Sequence, residues 1–157
     1  MKRQGGMVLL LALIFTLLLG LLAASALREA QQSTRLTTVL KEGLQAFEQA
    51  EATLLDGLAS LQRAAPGPCN GCPPPADPHA LQGPWQRAEQ GYFLLQNLGT
   101  TTRAAHMAWG EPVVLYRITA VSQQTTARQV VEAVYAVPSA QAPAPQRIAW
   151  RQRLKED

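Results

Sequence analysis

Cys69 and Cys72 are the only cysteines of the chain, and His79 and His106 its only histidines, so any metal or redox chemistry has to start there. Two thiolates and two imidazoles are zinc ligands by type, but their spacing is irregular for a zinc site. A thioredoxin-like redox pair opens a helix after a strand, and Pro73-Pro-Pro75 directly after Cys72 forbids that start. The third reading is a structural disulfide across Asn70-Gly71, suited to an oxidising compartment. So short a ring restricts the unfolded chain little, and its effect would be local stiffening of a proline loop. Ser122 and Ser139 have no identifiable base. No Gly-rich phosphate loop follows a strand, and no carboxylate pair sits in a pocket-like context. The expectation is a protein without catalytic residues, metal ligands or cofactor.

What this chain has to position is a helix. The 21 residues from Met7 to Leu27 carry no charge. At about 1.5 Å per residue they reach about 31 Å, one hydrocarbon thickness. Lys2 and Arg3 are expected to keep the N-terminal end in the cytoplasm and place everything after Arg28 outside. A plain signal anchor has this pattern. A secretory signal peptide fits less well, since the apolar stretch exceeds the usual length of about 7–15 residues. Ala23-Ala-Ser25 and Ser25-Ala-Leu27 are nevertheless small enough for cleavage.

After Leu27 the pattern turns amphipathic without a helix breaker; there is no proline between Met1 and Ala65. Leu36, Val39, Leu40, Leu44, Phe47, Leu54, Leu58 and Leu61 recur at three- and four-residue steps, with Ala50 in the same stripe. Gly43 and Gly57 are weak points, each costing about 1 kcal/mol against alanine. Pro66-Gly-Pro68 then stops the helix. One helix over residues 7–64 would be about 87 Å long. A tether does not need that shape, whereas a subunit packing its helix among related helices does.

With 157 residues there is room for one small domain. The net charge of +3 comes from the ends, because residues 28–137 carry eight basic and nine acidic side chains. A nucleic-acid binder needs a basic body, so that class is discarded. Residues 65–89 read as a proline-rich loop and 91–98 as a strand. Val113–Val121 and Arg128–Val137 flank Ser122–Ala127 as a hairpin. The expected register sets Val114, Tyr116 and Ile118 opposite Tyr135, Ala133 and Val131, and Arg117 opposite Glu132. The apolar face of this sheet, spanning residues 90–137, is expected to cover the helix stripe from Leu36 to Leu61. The basic tail 138–157 is expected to be mobile. The fold class is α+β, a long N-terminal helix on a small antiparallel sheet.

Lys2-Arg3-Gln4-Gly5-Gly6, a short basic stub ending in glycine directly before the apolar run, resembles the leader of type IV pilins and type II secretion pseudopilins. Ala46-Phe47-Glu48-Gln49-Ala50-Glu51-Ala52, about 40 residues further on, resembles the A-F-x-x-A-E-A stretch of PilX-like minor pilins. Tyr116-Arg-Ile-Thr119 and the Val-rich strand after it resemble the C-terminal hairpin of the same proteins. The resemblance implies a pilin-like fold, cleavage between Gly6 and Met7 by a prepilin peptidase, and N-methylation of Met7. It covers residues 2–64 and, more loosely, 91–137.

Most pilins carry a glutamate at the fifth mature position, thought to neutralise the N-terminal amine of a neighbouring subunit. Leu11 stands there in this chain. PilX-like minor pilins and their pseudopilin counterparts similarly lack it and are placed at or near the fibre tip. Gly20, the fourteenth mature residue, matches a glycine common in pilin helices, while Arg28 replaces a proline found in many major pilins. Phe47 is expected to act through the helix stripe. The resemblance implies a minor pilin that primes a type IV pilus, partnered through its helix by other minor pilins and the major pilin. It would be held in inner-membrane lipid before assembly, with its C-terminal domain in the periplasm, and would then reach the cell surface in the pilus. A tip pseudopilin of a type II secretion system is the near alternative, and an uncleaved single-pass periplasmic adaptor the alternative of another class.

Overall fold

The computed structural model describes residues 5–69, 71–124, 126–139 and 144–155. Lys2 and Arg3 of the expected leader, Asn70 between the cysteines, and residues 140–143 and 156–157 of the expected tail lie outside them. The element order is one helix, α1 (Gly5–Arg63), a 3₁₀ turn (Pro78–Ala80) and five strands: β1 (Gln86–Arg87), β2 (Gly91–Thr101), β3 (Val113–Ser122), β4 (Val130–Pro138) and β5 (Gln146–Arg153). The chain divides into two compact units, Met1–Lys41 and Glu42–Asp157, and α1 contributes to both.

The described part of the first unit is helix throughout, and its side chains are exposed all round, the uncharged ones from Met7 to Leu27 included. It is long and apolar enough to cross a membrane. The two hydroxyls of its apolar run fold back on the helix. Thr16 donates to the Leu13 carbonyl at 2.9 Å and Ser25 to the Leu22 carbonyl at 2.8 Å, so neither needs an outside partner.

In the second unit the remainder of α1 packs on one face of a five-stranded antiparallel meander of order β1-β2-β3-β4-β5. The architecture is α+β. Ala46, Ala50, Leu54 and Leu61 are buried at four- and seven-residue steps. Ala50, Leu54 and Leu61 form one core cluster with Phe93, Tyr116, Ile118, Ala120, Val131, Ala133 and Tyr135, the alternate residues of β2, β3 and β4. Gly57 belongs to this contact. A Cβ there would stand 2.6 Å from Ile118 Cγ2 and 3.3 Å from the Phe93 ring, so the weak helix former is required by the close approach of helix and sheet.

Three expectations are corrected. Leu36, Val39 and Leu40 of the expected stripe are exposed on the first unit, and within the second unit Leu44 is exposed and cover by the sheet begins at Ala46. The β3–β4 register is displaced by two residues: Tyr116 faces Tyr135, Ile118 faces Ala133 and Val114 faces Val137. A two-residue displacement leaves every side chain on its expected face, which is why alternation alone does not detect it. The hairpin closes at Ser122, whose backbone N–H donates to the Gln129 carbonyl at 3.0 Å and whose hydroxyl accepts from the Gln129 N–H at 2.9 Å. The strand therefore starts at Val130 and not at Arg128. Finally, residues 146–153 of the expected mobile tail are β5, paired along β4 from Val130↔Arg153 to Ala136↔Gln146 with one irregularity between Val134 and Tyr135.

Candidate functional site

Residues assigned a role from sequence fall into two groups. Gly6, Met7, Leu11 and Gly20 lie on the first unit's helix; Phe47, Cys69 and Cys72 lie in the second unit. Met7 is 74% exposed and Leu11 51%, and nothing lies within 4 Å of where a Gly20 Cβ would stand. No ionisable side chain occurs along this helix until Arg28 and Glu29. With Thr16 and Ser25 satisfied internally, the surface from Met7 to Leu27 offers only apolar contact and small-residue gaps. Such a surface dissolves in hydrocarbon or packs against other apolar helices.

Phe47 is partly buried against the core, and its ring meets Trp150 of β5 edge-on at 6.3 Å between centroids. Trp150 in turn donates its indole N–H to Glu51 Oε1 at 2.8 Å. Sequence reasoning missed Trp150. The signal for it was Ile148 and Trp150 alternating among arginines, a weak strand pattern set close behind Pro143 and Pro145.

Cys69 and Cys72 form a disulfide with their Cα atoms 5.7 Å apart. Both sulfurs are thereby spent on each other. Among the described residues no three His, Cys, Asp or Glu side chains gather as a metal site.

The proline-rich segment that the disulfide stiffens crosses the sheet face opposite α1. Prolines offer carbonyls and no N–H, so the sheet must supply the donors. Gln96 Nε2 donates to the Pro73 carbonyl at 3.0 Å, Arg117 Nη1 to that of Cys72 at 3.3 Å and Arg153 Nη1 to that of Pro75 at 2.6 Å. Arg128 Nη1 donates to the carbonyl of His79. Asn97 fastens the near end: its Nδ2 donates to the Pro66 carbonyl at 2.9 Å, and its own carbonyl accepts from the Cys69 N–H at 3.2 Å.

The arginines on this face are organised by Glu132, whose side chain is 6% exposed. Arg151 Nη2 approaches its Oε1 at 2.7 Å, Arg117 Nε at 3.9 Å, and Arg153 Nη1 approaches Oε2 at 4.0 Å. Thr119, and not Arg117, is directly opposite Glu132 on β3, and Arg117 reaches it diagonally. A buried carboxylate is tolerable only with such partners.

Comparison of the chain with protein-family models, with curated proteins and with solved structures finds no match.

Proposed function

We propose that this chain is a minor pilin that primes assembly of a type IV pilus and sits at or near its tip. The observation that carries the reading is the start of the apolar run. The apolar run begins at the residue after Gly6, lies in helix from there on, and has Leu11 where an assembling subunit would carry a glutamate. On this reading a prepilin peptidase removes residues 1–6 and Met7 becomes the methylated N-terminus. The subunit waits in the inner membrane with its C-terminal unit in the periplasm.

Other minor pilins and the major pilin would then take over the apolar surface of α1 from lipid. The exposed stripe Leu36, Val39, Leu40 and Leu44 supports the same role, since it adds an unpartnered apolar face beyond the uniformly apolar segment. A subunit without the fifth-position glutamate has no charge with which to neutralise the amine of an earlier subunit. It therefore suits the first place in the fibre. The amine of Met7 would remain for the glutamate of the next subunit. The protein acts by assembly and not as an enzyme. A tip pseudopilin of a type II secretion system would use the same physics in a different machine.

The deciding experiment is the intact mass and N-terminal sequence of the protein extracted from its native membrane. A methylated Met7 start is the expected result. A chain beginning at Met1 would reduce the segment to an anchor and favour an uncleaved adaptor, and a start near Arg28 would mean a secreted domain.

A further inference from the structure

Three stretches of the second unit bring cations to one place that the assembly reading does not use. Arg128 comes from the connection between β3 and β4, Arg153 from the end of β5, and Lys155 from the residues after it. They meet at the 3₁₀ turn holding His79. Two cavities lie here, of about 240 Å³ and about 360 Å³. Ala76, Asp77, Pro78, His79, Arg153, Leu154 and Lys155 line the first. His79 and Lys155 also line the second, together with Arg128 and the polypeptide around it. At about 30 Å³ per water, each has room for a small polyatomic ion.

The charges around this space do not balance. Arg128 and Arg153 donate to the carbonyls of His79 and Pro75, neutral acceptors that fix the guanidinium groups without cancelling their charge. Among the described residues, neither Arg128 nor Lys155 has a carboxylate within 4.0 Å, and Arg153 shares Glu132 with Arg117 and Arg151. Among the described residues Asp77 is the one acid in the walls. Its Oδ1 is occupied by the backbone N–H groups of His79 at 3.0 Å and Ala80 at 3.3 Å. Among the described residues, three cations held around this space against the engaged Asp77 and a Glu132 shared at 4.0 Å leave an excess of positive charge, which suits a phosphate anion. Two guanidinium forks and an ammonium arriving from separate stretches of chain also suit a tetrahedral acceptor better than a planar one.

We propose that the space between His79, Arg128, Arg153 and Lys155 binds a phosphate group, either as the free ion or as the headgroup of an anionic phospholipid. The site is independent of whether the chain enters a fibre. His79 reports on it. Burial, together with Lys155, Arg128 and Arg153, holds the imidazole below its usual range against the opposing pull of Asp77, so the ring already senses these cations. A bound phosphate anion opposes their effect on it.

The test follows the two histidine Hε1 resonances of the full chain in neutral detergent micelles, at constant ionic strength. Inorganic phosphate is added in one arm and phosphatidylglycerol in the other, with chloride as the control. His79 is expected to shift saturably and to titrate at higher pH, while His106 stays unmoved. Lys155→Gln, at an exposed side chain, should weaken the effect roughly 3- to 10-fold. Arg128→Gln should weaken it by more, though it also frees the His79 carbonyl, so Lys155→Gln is the deciding variant. Saturation in both arms supports a general phosphate site, and saturation with phosphatidylglycerol alone supports the site with the lipid as its source. A response matched by chloride, unchanged by Lys155→Gln or absent from both arms overturns the proposal.

Discussion

Trp150 donates its indole N–H to Glu51 across 99 residues of sequence, at 2.8 Å, and in doing so joins the edge strand β5 to α1. The same ring meets Phe47 edge-on, so one side chain serves the packing and the polar contact together. Because Trp150 is 43% exposed, its truncation should fall at the low end of large-to-small changes. Trp150→Ala is expected to destabilise the second unit by about 1–3 kcal/mol, and Trp150→Phe by less, since it keeps the ring. Urea unfolding of the full chain in micelles, followed by circular dichroism, measures both. An equal loss for the two variants would mean that the N–H bond alone carries the contact.

Gly57 and Gly43 are both helical glycines, indistinguishable by propensity, and the structure separates them. Adding a Cβ at Gly57 drives it into Ile118, whereas at Gly43 nothing lies within 4 Å. Gly43→Ala should therefore stabilise the chain by about 0.5–1 kcal/mol through helix propensity. Gly57→Ala gains the same propensity but must push helix and sheet apart. A net loss of about 1–3 kcal/mol is expected. Thermal unfolding of the two variants side by side decides the matter, and a stabilising Gly57→Ala would show that the interface yields.

Much of this fold is legible in the sequence because its signals are local. The uncharged run, the stripe beyond it and the Pro66-Gly-Pro68 stop fix α1 nearly to its ends. Alternation assigns Tyr116, Ile118, Val131, Ala133 and Tyr135 to the buried face. Register is not local. It depends on how the connection closes, and Ser122 closes it on Gln129 through a side-chain bond that no periodicity records. β5 was hidden because its pairing to β4 runs through arginines. Their partner is the buried Glu132, a contact that a charge count reads as a solvated tail. The arginine donors to the proline segment were illegible for the same reason, since their acceptors are backbone carbonyls.

The register yields a direct check. In a pair-cysteine series built on the Cys69→Ser/Cys72→Ser background, Tyr116→Cys should crosslink with Tyr135→Cys in preference to Ala133→Cys, because Tyr116 and Tyr135 are Cα partners. Mild oxidation and intact-mass analysis read the yield. Preference for position 133 would restore the register expected from alternation and a six-residue connection.

His79 makes the stability of the second unit depend on pH in a known direction. Its pKa is lowered in the folded state, chiefly by burial, with Lys155, Arg128 and Arg153 adding to the shift and Asp77 opposing it. A histidine with a depressed folded pKa binds fewer protons when folded than when unfolded. Its contribution is therefore fully present above about pH 6.5, the ordinary histidine value, and is lost as the pH falls from there through the folded pKa. The loss should disappear in His79→Gln, which keeps a polar side chain but cannot take up the proton. Melting temperatures of the two proteins between pH 7.5 and pH 5 in phosphate-free buffer test this, with other titrating groups common to both. Parallel curves would show that protonated His79 is tolerated beside its three cationic neighbours. A wild-type curve that falls away from the variant below about pH 6.5 is the expected outcome.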